Sequence, residues 1–412
     1  MQNWKISITA FISILLLGWP CARTSSCADP PYYEGYRFYL FQPDLGNIPR
    51  LRPFYFSMDY YFGDAFWDDS KPAADDAVWA NGGRPSYYRS NIKEWKVFCG
   101  EEVKADDIDS ILYSCDPEHF LSVLDSIRAG VSPASFALQH NSFFHFLFAK
   151  KNKDALDYIV LAKRAEQLSN YDDPWELNDR DLDGLDPLLK EIDTKREHSA
   201  KDFFRMRYAY QSIKLRFYGG AGHMGDCDSL YHAWFDAVNT GSWIKPSAMI
   251  FTLYWQSRAE RNYDLSKVFD MSDERKFTAV DLFDRDELQQ SLSFAKNAHE
   301  RAVMLTMYYL RDPSRSMRGL QKIYRLDPSA RTLGTLLVRE INKIEDWVCT
   351  PELTSYDPAN PFGANGYDWN YNFKYNHKRD EQYMNKFLGW VEEVAAEKKV
   401  SDPALWELSA AY

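Results

Sequence analysis

The stretch from Asp327 to Val348, DPSARTLGTLLVREINKIEDWV, shows most clearly what kind of fold this chain adopts. Its apolar residues recur at steps of four, four, three and four, at Leu333, Leu337, Ile341, Ile344 and Val348. This spacing places them on one face of an α-helix, whose period is 3.6 residues. Because such a stripe has to be covered by another element, the stretch predicts an amphipathic helix packed on neighbouring helices.

Pairs of Asp or Ser with a following Pro mark the starts of several predicted helices. The side-chain oxygen can accept a hydrogen bond from the first turn, and Pro at the first helical position lacks only an N–H that has no partner there. The five pairs are Asp116-Pro117, Ser132-Pro133, Asp312-Pro313, Asp327-Pro328 and Asp402-Pro403. A further start is predicted at Asp284, where Glu287 follows three residues later as in a capping box.

The middle of the chain predicts helices in pairs. They cover residues 203–218, 228–238, 246–259 and 263–273, with a break at Gly219-Gly220. The starts near 203, 246, 286 and 328 are separated by about 40 residues, which is typical of an α-solenoid built from helical hairpins. We therefore expect an all-α fold, an α-solenoid of helical hairpins with an irregular, aromatic-rich N-terminal region.

Two segments resemble degenerate tetratricopeptide hairpins. The first runs from Arg207 to Phe235, and the second runs from Ala302 to the pair Asp327-Pro328. The stretch from Leu336 to Trp347 is similar to one found in uncharacterised secreted or lipid-anchored helical-repeat proteins of Gram-negative bacteria. The resemblance covers roughly residues 140 to 350 and lacks the regular Trp, Leu-Gly and Tyr positions of the tetratricopeptide pattern. It implies a superfamily-level fold and no particular reaction.

The N-terminus has the layout of a secretory signal peptide. Residues 1–5 supply a positive charge, residues 6–19 form an uncharged apolar run, and residues 20–28 are small and polar. The run is shorter than the roughly 20 residues that a membrane span needs. Either a peptidase cleaves before Asp29, or Cys27 becomes a lipid-modified N-terminus, and the resemblance implies the second. We therefore predict export to the periplasm, to the outer membrane or to the medium.

These signals divide the chain into five segments. They are a signal peptide (1–28), the irregular aromatic-rich region (29–104), the helical repeat domain (105–349), a loop or linker (350–379) and C-terminal helices (380–412). The last helix ends about ten residues after Asp402-Pro403, on the apolar run from Leu405 to Leu408. Such an end predicts an exposed apolar face, as in a truncated array.

Four cysteines remain if cleavage follows Ala28, namely Cys99, Cys115, Cys227 and Cys349. An even number in an oxidising compartment permits disulfides. Cys99 with Cys115 is the first pair expected, and Cys227 with Cys349 would join distant parts of the chain. The alternative is that some of them are buried thiols that act as small apolar side chains.

Two segments carry residues that could support metal binding or catalysis. The run from Asp179 to Gly184 opens like a calcium loop, but its closing position is Lys190 rather than Glu. We interpret it as an acidic surface turn. His223, Cys227 and His232 crowd a Gly-rich segment without the spacing of a zinc site, and we interpret it as a turn between helices. The sequence therefore predicts no metal, no cofactor and no catalytic residue.

A basic stripe is the candidate binding feature. Arg315, Arg318, Lys322 and Arg325 fall at steps of three, four and three, within a chain of net charge −11. A second helix carries Lys201, Arg205, Arg207, Lys214 and Arg216. Such stripes can hold an anionic group or an acidic partner segment, or they are solvated faces paired with neighbouring acids. Nucleic acid is not expected as a partner of an acidic chain.

The function that these features favour is a non-enzymatic scaffold of the cell envelope that binds a protein or peptide, since a solenoid presents a long concave surface. Aromatic residues make up 16% of the chain, well above ordinary use. They either fill the grooves between helices or, as the alternative function, bind glycan from exposed positions.

Overall fold

A computed structural model describes residues 87–132, 137–169, 183–238, 241–253, 256–310, 312, 314–349, 362–363, 366–367 and 373–412. Its elements are helical except for one pair of two-residue strands, so the all-α prediction is confirmed. The strands β1 (Phe362–Gly363) and β2 (Gly366–Tyr367) pair antiparallel. The predicted signal peptide, Cys27 and residues 29–86 of the aromatic-rich region lie outside the described residues.

The helices run through the described residues in close succession. In the first part they are α1 (Tyr87–Cys99), α2 (Ala105–Asp109), α3 (Pro117–Arg128), α4 (Ser142–Phe148), α5 (Lys153–Leu168), α6 (Leu185–His198), α7 (Asp202–Tyr218), α8 (Ala221–Met224) and α9 (Cys227–Phe235). In the second part they are α10 (Ile244–Ile250), α11 (Arg258–Met271), α12 (Lys276–Asp281), α13 (Leu288–Ser291), α14 (Ala298–Leu310), α15 (Met317–Leu326), α16 (Thr332–Ile344), α17 (Phe373–Glu397) and α18 (Pro403–Ala411).

Short turns of other helix types complete the list. Three are 3₁₀ turns, at Ala137–His140, Lys150–Asn152 and Arg285–Glu287. Two π-helical turns continue α2 and α16, at Ser110–Ser114 and Glu345–Cys349. The buried amine of Lys163 donates to the carbonyls of Leu112 and Cys115 at 3.2 and 2.7 Å. It thereby satisfies acceptors that the end of the first π turn leaves without a helical partner.

Two of the predicted helix starts are confirmed, one of them together with its side-chain cap. Asp116 accepts a hydrogen bond from the amide of His119 at 2.9 Å and caps α3, which begins at Pro117. Helix α18 begins at Pro403 as predicted. A complete capping box forms at Ser257 and Glu260 at the start of α11, although the sequence analysis placed its capping box at Asp284. Asp284 instead caps a 3₁₀ turn by accepting from the amide of Asp286.

Two other predicted starts are wrong. Asp327 accepts from the amide and hydroxyl of Ser329, so it forms a turn, and α16 begins only at Thr332. Asp312 makes the same contacts with Ser314, and α15 begins at Met317. An Asp side chain that bonds two residues ahead forms an Asx turn rather than a helix cap. Pro133, in the remaining pair, lies outside the described residues.

Helices pack mainly on helices that are near in sequence. Helix α5 contacts α3, α6 and α7, and α7 in turn contacts α6, α9 and α10. Farther along, α11 contacts α10 and α14, and α14 contacts α15 and α16. The described part of the chain therefore buries its apolar faces step by step along its length rather than around one central helix.

Two apolar cores result, and α7 takes part in both. The first core extends from Trp95 to Leu215 and includes Phe204 and Tyr208 of α7. The second extends from Ala209 to Trp406 and includes Tyr210 and Ile213 of the same helix. Because two faces of α7 are covered by different cores, its third face, which carries Gln211, Lys214 and Tyr218, lies at the junction between them.

Helix α1 lies within the segment that the sequence analysis predicted as irregular. Its Trp95 is fully buried and meets the rings of Phe143 and Phe203 edge-on, with centroids 5.3 and 5.0 Å apart. Edge-to-face pairs of this kind add about 0.5–1.5 kcal/mol each beyond the buried area. The aromatic density of this segment therefore includes a regular helix that anchors the first core.

The prediction that the last helix exposes its apolar face is wrong for Leu405 and Trp406. Trp406 is 1% exposed and meets the ring of Trp390 of α17 edge-on at 5.4 Å, and Leu405 is buried as well. Leu408 is the apolar residue of this run that stays exposed. Helices α16 and α17 cover the face that appeared unpartnered in the sequence. Among the described helices, none combines the length and apolar character that a membrane crossing requires.

Candidate functional site

Helix α15 presents three basic side chains on one exposed face, here called the basic face. Its apolar residues Leu320 and Ile323 are fully buried, so the opposite side of the helix is turned to solvent. The basic face consists of Arg318, Lys322 and Arg325, all exposed. They follow one another at steps of four and three, which keeps them together on the helix surface. None of them forms an ion pair with a described residue.

Arg315, the fourth residue of the predicted stripe, does not belong to this face. It lies before α15 begins, and its Nε donates to Oδ1 of Asp380 of α17 at 3.1 Å. Asp380 is fully buried. Burial raises the pKa of Asp380, while its contact with Arg315 opposes that rise. The regular spacing in the sequence fails here because only residues from Met317 onward share the helical register.

A buried polar network holds the start of α15 in place. Glu340 of α16 accepts a hydrogen bond from the amide of Ser316 at 2.9 Å and from the hydroxyl of Tyr383. Lys343 forms an ion pair with Glu340, and both side chains are 1% exposed. Lys343 also donates to the carbonyl of Ser314 at 2.6 Å. Burial lowers the pKa of Lys343, and Glu340 opposes that change. This network fixes the direction in which the basic face points.

A second candidate site is a cavity of about 580 Å³ at the junction of the two cores, here called the junction cavity. Helices α1, α5, α7 and α10 supply most of its walls. Its aromatic lining residues are Trp95, Tyr113, Tyr158, Tyr210, Phe217, Tyr218, Trp243 and Phe251. Its other lining residues are Asn91, Leu112, Ala162, Glu166, Ser169, Gln211, Lys214, Ser247, Ile250 and Arg275. Several of these side chains keep partial solvent access, so the cavity communicates with solvent.

Lys214 is the basic residue of the cavity whose amine has neither a hydrogen bond nor an ion pair to a described residue. Its Nζ lies 5.8 Å from the centre of the Tyr218 ring. Burial lowers the pKa of Lys214 to about 8, Glu166 opposes this, and Arg275 adds to it. Glu166 is itself paired with Lys163 at 3.0 Å, so it does not neutralise Lys214 by direct contact.

Ion pairs and hydrogen bonds of buried side chains hold α1 in place where it forms a wall of the cavity. Arg207 of α7 pairs with Glu94 at 2.8 Å, donates to Asn91 at 3.1 Å, and is 3% exposed. Ser90 donates from its amide and hydroxyl to Glu274, at 3.1 and 2.5 Å. Burial raises the pKa of Glu274 to about 7, with the bonds from Ser90 opposing the rise. These contacts join α1 to α7 and to the segment before α12.

The second basic stretch predicted from sequence is not a single face. Arg216 pairs with Asp193 at 2.8 Å, Lys201 lies 3.5 Å from Asp154, and Arg205 pairs with Asp202. With Arg207 buried and Lys214 in the cavity, these five side chains point to different surroundings. The sequence shows only the contribution of α7 to the cavity, as the polar series Gln211, Lys214 and Tyr218 in a helix that is otherwise buried on two faces.

The His and Cys residues near α8 and α9 do not converge on one point. His223 contacts Asp186 of α6 at 2.8 Å, while His232 contacts Asp236 of its own helix at 2.9 Å. Cys227 is buried, its thiol donates to the carbonyl of Ile213 at 3.6 Å, and burial raises its pKa to about 12. A thiol in this state is a poor nucleophile at neutral pH.

Cys99 and Cys115 are free cysteines in the structure, so the disulfide expected between them is not formed. Both are partly buried among the side chains of the first core. Burial raises the pKa of Cys99 to about 12 and also raises that of Cys115. This matches the alternative of thiols that act as small apolar side chains. Cys227 is free as well, and the pairing suggested for it with Cys349 is not present.

The calcium loop considered at Asp179 lies outside the described residues except for Asp183 and Gly184. Within the ranges that the structure covers, no group of three or more His, Cys, Asp or Glu side chains is arranged to hold a metal ion. Comparison with protein-family models, with curated proteins and with solved structures gave no match.

Proposed function

We propose that this protein is a non-enzymatic binding protein of the cell envelope whose basic face docks an acidic segment of a partner protein or peptide. The observation that carries the proposal is the absence of ion pairs at Arg318, Lys322 and Arg325 with the described residues. Some fully or partly exposed cations elsewhere are paired, although Lys150, Lys151 and Lys153 are not paired with any described residue. Arg164 pairs with Glu191 at 2.7 Å, and Arg331 pairs with Asp273 at 3.0 Å. In a chain of net charge −11, three adjacent unpaired cations form a local region of opposite sign.

The arrangement that we propose around this face is an α-solenoid of tetratricopeptide-like hairpins. The step-by-step packing of each helix on its near neighbours in sequence supports this arrangement, because stacked hairpins contact one another in chain order. Export by the N-terminal signal, with or without lipid at Cys27, belongs to the same proposal and would place the chain among envelope proteins.

In this proposal the basic face contributes more to the selection of an acidic segment than to the strength of its binding. Exposed ion pairs are worth roughly 0.2–1 kcal/mol each, so three of them give only part of a stable complex. Complementary charge chiefly raises the association rate and fixes the register of the bound segment. The remaining affinity would come from apolar contacts beside the stripe. The glycan alternative finds less support, since Tyr412 is the aromatic residue among the large exposed apolar side chains of the described segments.

The test measures binding of a fluorescein-labelled helical peptide that carries Glu at every third or fourth position. Fluorescence polarisation with the full chain should show saturable binding that weakens as salt is added. Arg318→Glu, Lys322→Glu and Arg325→Glu together should abolish it. A second peptide that carries Lys in place of Glu should bind the triple variant more tightly than it binds the original chain, because the charges are then reversed on both sides.

The matched control reverses three other exposed lysines, with Lys150→Glu, Lys151→Glu and Lys153→Glu. These changes alter the net charge by the same amount but lie near the start of α5. If the control loses binding as completely as the triple variant of α15, then net charge rather than the basic face governs binding, and the proposal is wrong.

A further inference from the structure

We propose that the junction cavity binds a small organic anion with an aromatic body, and that Lys214 receives its anionic group. This site is separate from the basic face, so it does not depend on the function proposed above. The inference comes from the volume of the cavity, its aromatic walls, the balance of its charges and the amine of Lys214.

The size and lining of the cavity are those of a small-molecule site. Such sites have volumes of about 300–1,000 Å³, with mostly apolar and aromatic walls and a few polar groups that fix orientation. The junction cavity, at about 580 Å³, has eight aromatic residues among its walls. Its walls come from helices of both cores, so a ligand bound there would contact both.

The polar atoms of the lining are short of acceptors. Trp95 is fully buried, yet its indole Nε1 has no hydrogen-bond partner, and the same holds for the buried Nε1 of Trp243. The amine of Lys214 also has no acceptor among the described residues. On the acceptor side, Oε1 of Gln211 is buried without a partner. The two indole nitrogens and Oε1 of Gln211 are closed off from solvent, so a ligand in the cavity cannot reach them. The Lys214 side chain keeps partial solvent access, and its amine favours a ligand that brings oxygen acceptors.

The walls favour a flat ring in the body of the ligand. Tyr210 and Trp243 meet edge-on with centroids 5.1 Å apart, and Phe251 lies 5.2 Å from Phe217. The rings of Phe217, Trp243 and Phe251 are only partly buried by protein. Their free surfaces can therefore take an aromatic body in offset or edge-on geometry.

The charges distinguish an anion from a neutral or cationic ligand. Lys214 and Arg275 line the cavity together with one acid, Glu166, and Glu166 is already held by Lys163. The charge within the cavity is therefore positive on balance. A cation would be repelled, whereas a carboxylate could accept hydrogen bonds from the Lys214 amine while its ring packs on the walls.

Isothermal titration calorimetry on the full chain with 2-naphthoate and the neutral 2-naphthamide tests the proposal. Naphthoate should bind at one site at least about tenfold more tightly, a difference of roughly 1.4 kcal/mol. Lys214→Met should remove this preference, and Lys214→Arg should retain most of it. The control Lys190→Met changes an exposed lysine of α6 and should leave both affinities unchanged. Circular dichroism of each variant establishes that it is folded, and Lys214→Gln provides the test if Lys214→Met does not fold.

Affinity for naphthoate should also fall as the pH rises through about 8, because Lys214 loses its proton there. The charged and titratable groups that face Lys214 are Glu166 from α5, Arg275 before α12, and the tyrosines at 113, 158 and 218. Equal binding of naphthoate and naphthamide would overturn the role of Lys214. Absence of saturable binding by either would overturn the proposal as a whole.

Discussion

Helices α7 and α15 are both rich in basic residues, but their surroundings give those residues different roles. Helix α7 is covered on two faces by different cores, so Arg207 is buried against Glu94 and Lys214 lies in a cavity. Helix α15 is covered on its inner side, and its cations stay at the surface. The comparison teaches that the number of covered faces, rather than the number of basic residues, decides whether a cation stabilises the fold or remains available for a partner.

The largest effect that tests this comparison is expected at Arg207. Removing one member of a buried ion pair leaves the other charge without a partner and costs about 3–5 kcal/mol. We therefore expect Arg207→Ala to lower the free energy of unfolding by that amount in urea denaturation. Arg318→Ala, on the exposed side of α15, should change it by less than about 0.5 kcal/mol.

A double variant separates the charge from the packing at this site. Arg207→Met with Glu94→Leu removes both charges and keeps apolar volume, so it should be more stable than Arg207→Ala. Equal losses for Arg207→Ala and Arg318→Ala would contradict the distinction between the two helices.

The next effect tests whether the inner side of α15 is closely packed. A Cβ atom at Gly319 would overlap the ring of Tyr309 of α14, far inside contact distance. Overpacking of this kind costs about 1–3 kcal/mol. The intrinsic helix preference of Ala over Gly acts in the opposite direction by about 1 kcal/mol. Because the clash is with a ring held by its own helix, we expect Gly319→Ala to lower the thermal midpoint.

The matched comparison within α15 is Lys322→Ala, which lies on the basic face and should leave the midpoint nearly unchanged. Combining Gly319→Ala with Tyr309→Leu should recover part of the loss, because the ring that blocks the new methyl group is then absent. A higher midpoint for Gly319→Ala alone would show that Tyr309 moves aside and that the two helices pack loosely.

The sequence predicted the helical character of the chain but not all of its helix starts. Asp116 and Asp402 precede helices, whereas Asp312 and Asp327 form turns, although all four precede Pro. The Asp carboxylate can accept a hydrogen bond from the amide three residues ahead, as a helix cap, or two residues ahead, as an Asx turn. The local sequence differs little between the two cases, so the tertiary contacts of the following segment decide which one forms. The sequence could not show that the helix starts only at Met317, and Arg315 therefore appeared to continue the basic stripe.

Three residues of the basic face could be predicted from sequence because helical spacing fixes which side chains share a face. The junction cavity could not be predicted, since its walls come from α1, α5, α7 and α10, which are distant in sequence. Periodicity describes one helix at a time and cannot indicate which polar side chains meet between helices. Trp95 illustrates this, since its sequence context gives no reason for its indole nitrogen to be buried without a partner.

The smallest expected change in stability concerns His299, whose side chain joins α11 to the end of α15. Its Nε2 lies 3.0 Å from Asp270, and its Nδ1 lies 2.7 Å from Asp327, the residue that ends α15. Hydrogen bonds to Asp327 and then to Asp270 raise the pKa of His299. A group whose pKa is raised on folding contributes stability that is complete below its unfolded pKa, near 6.5, and is lost as the pH rises through the folded value.

We therefore expect His299→Gln to be less stable than the original chain at about pH 5.5 and nearly equal to it at about pH 8.5, as measured by urea denaturation. The difference should stay below about 1 kcal/mol, because the imidazole is 49% exposed and water screens the pair. Glu274, with its pKa raised to about 7, titrates in the same range. It is present in both proteins, so its contribution cancels when the two pH profiles are subtracted. A difference that grows with pH would mean that the neutral imidazole, rather than its charged form, holds the end of α15 against α11.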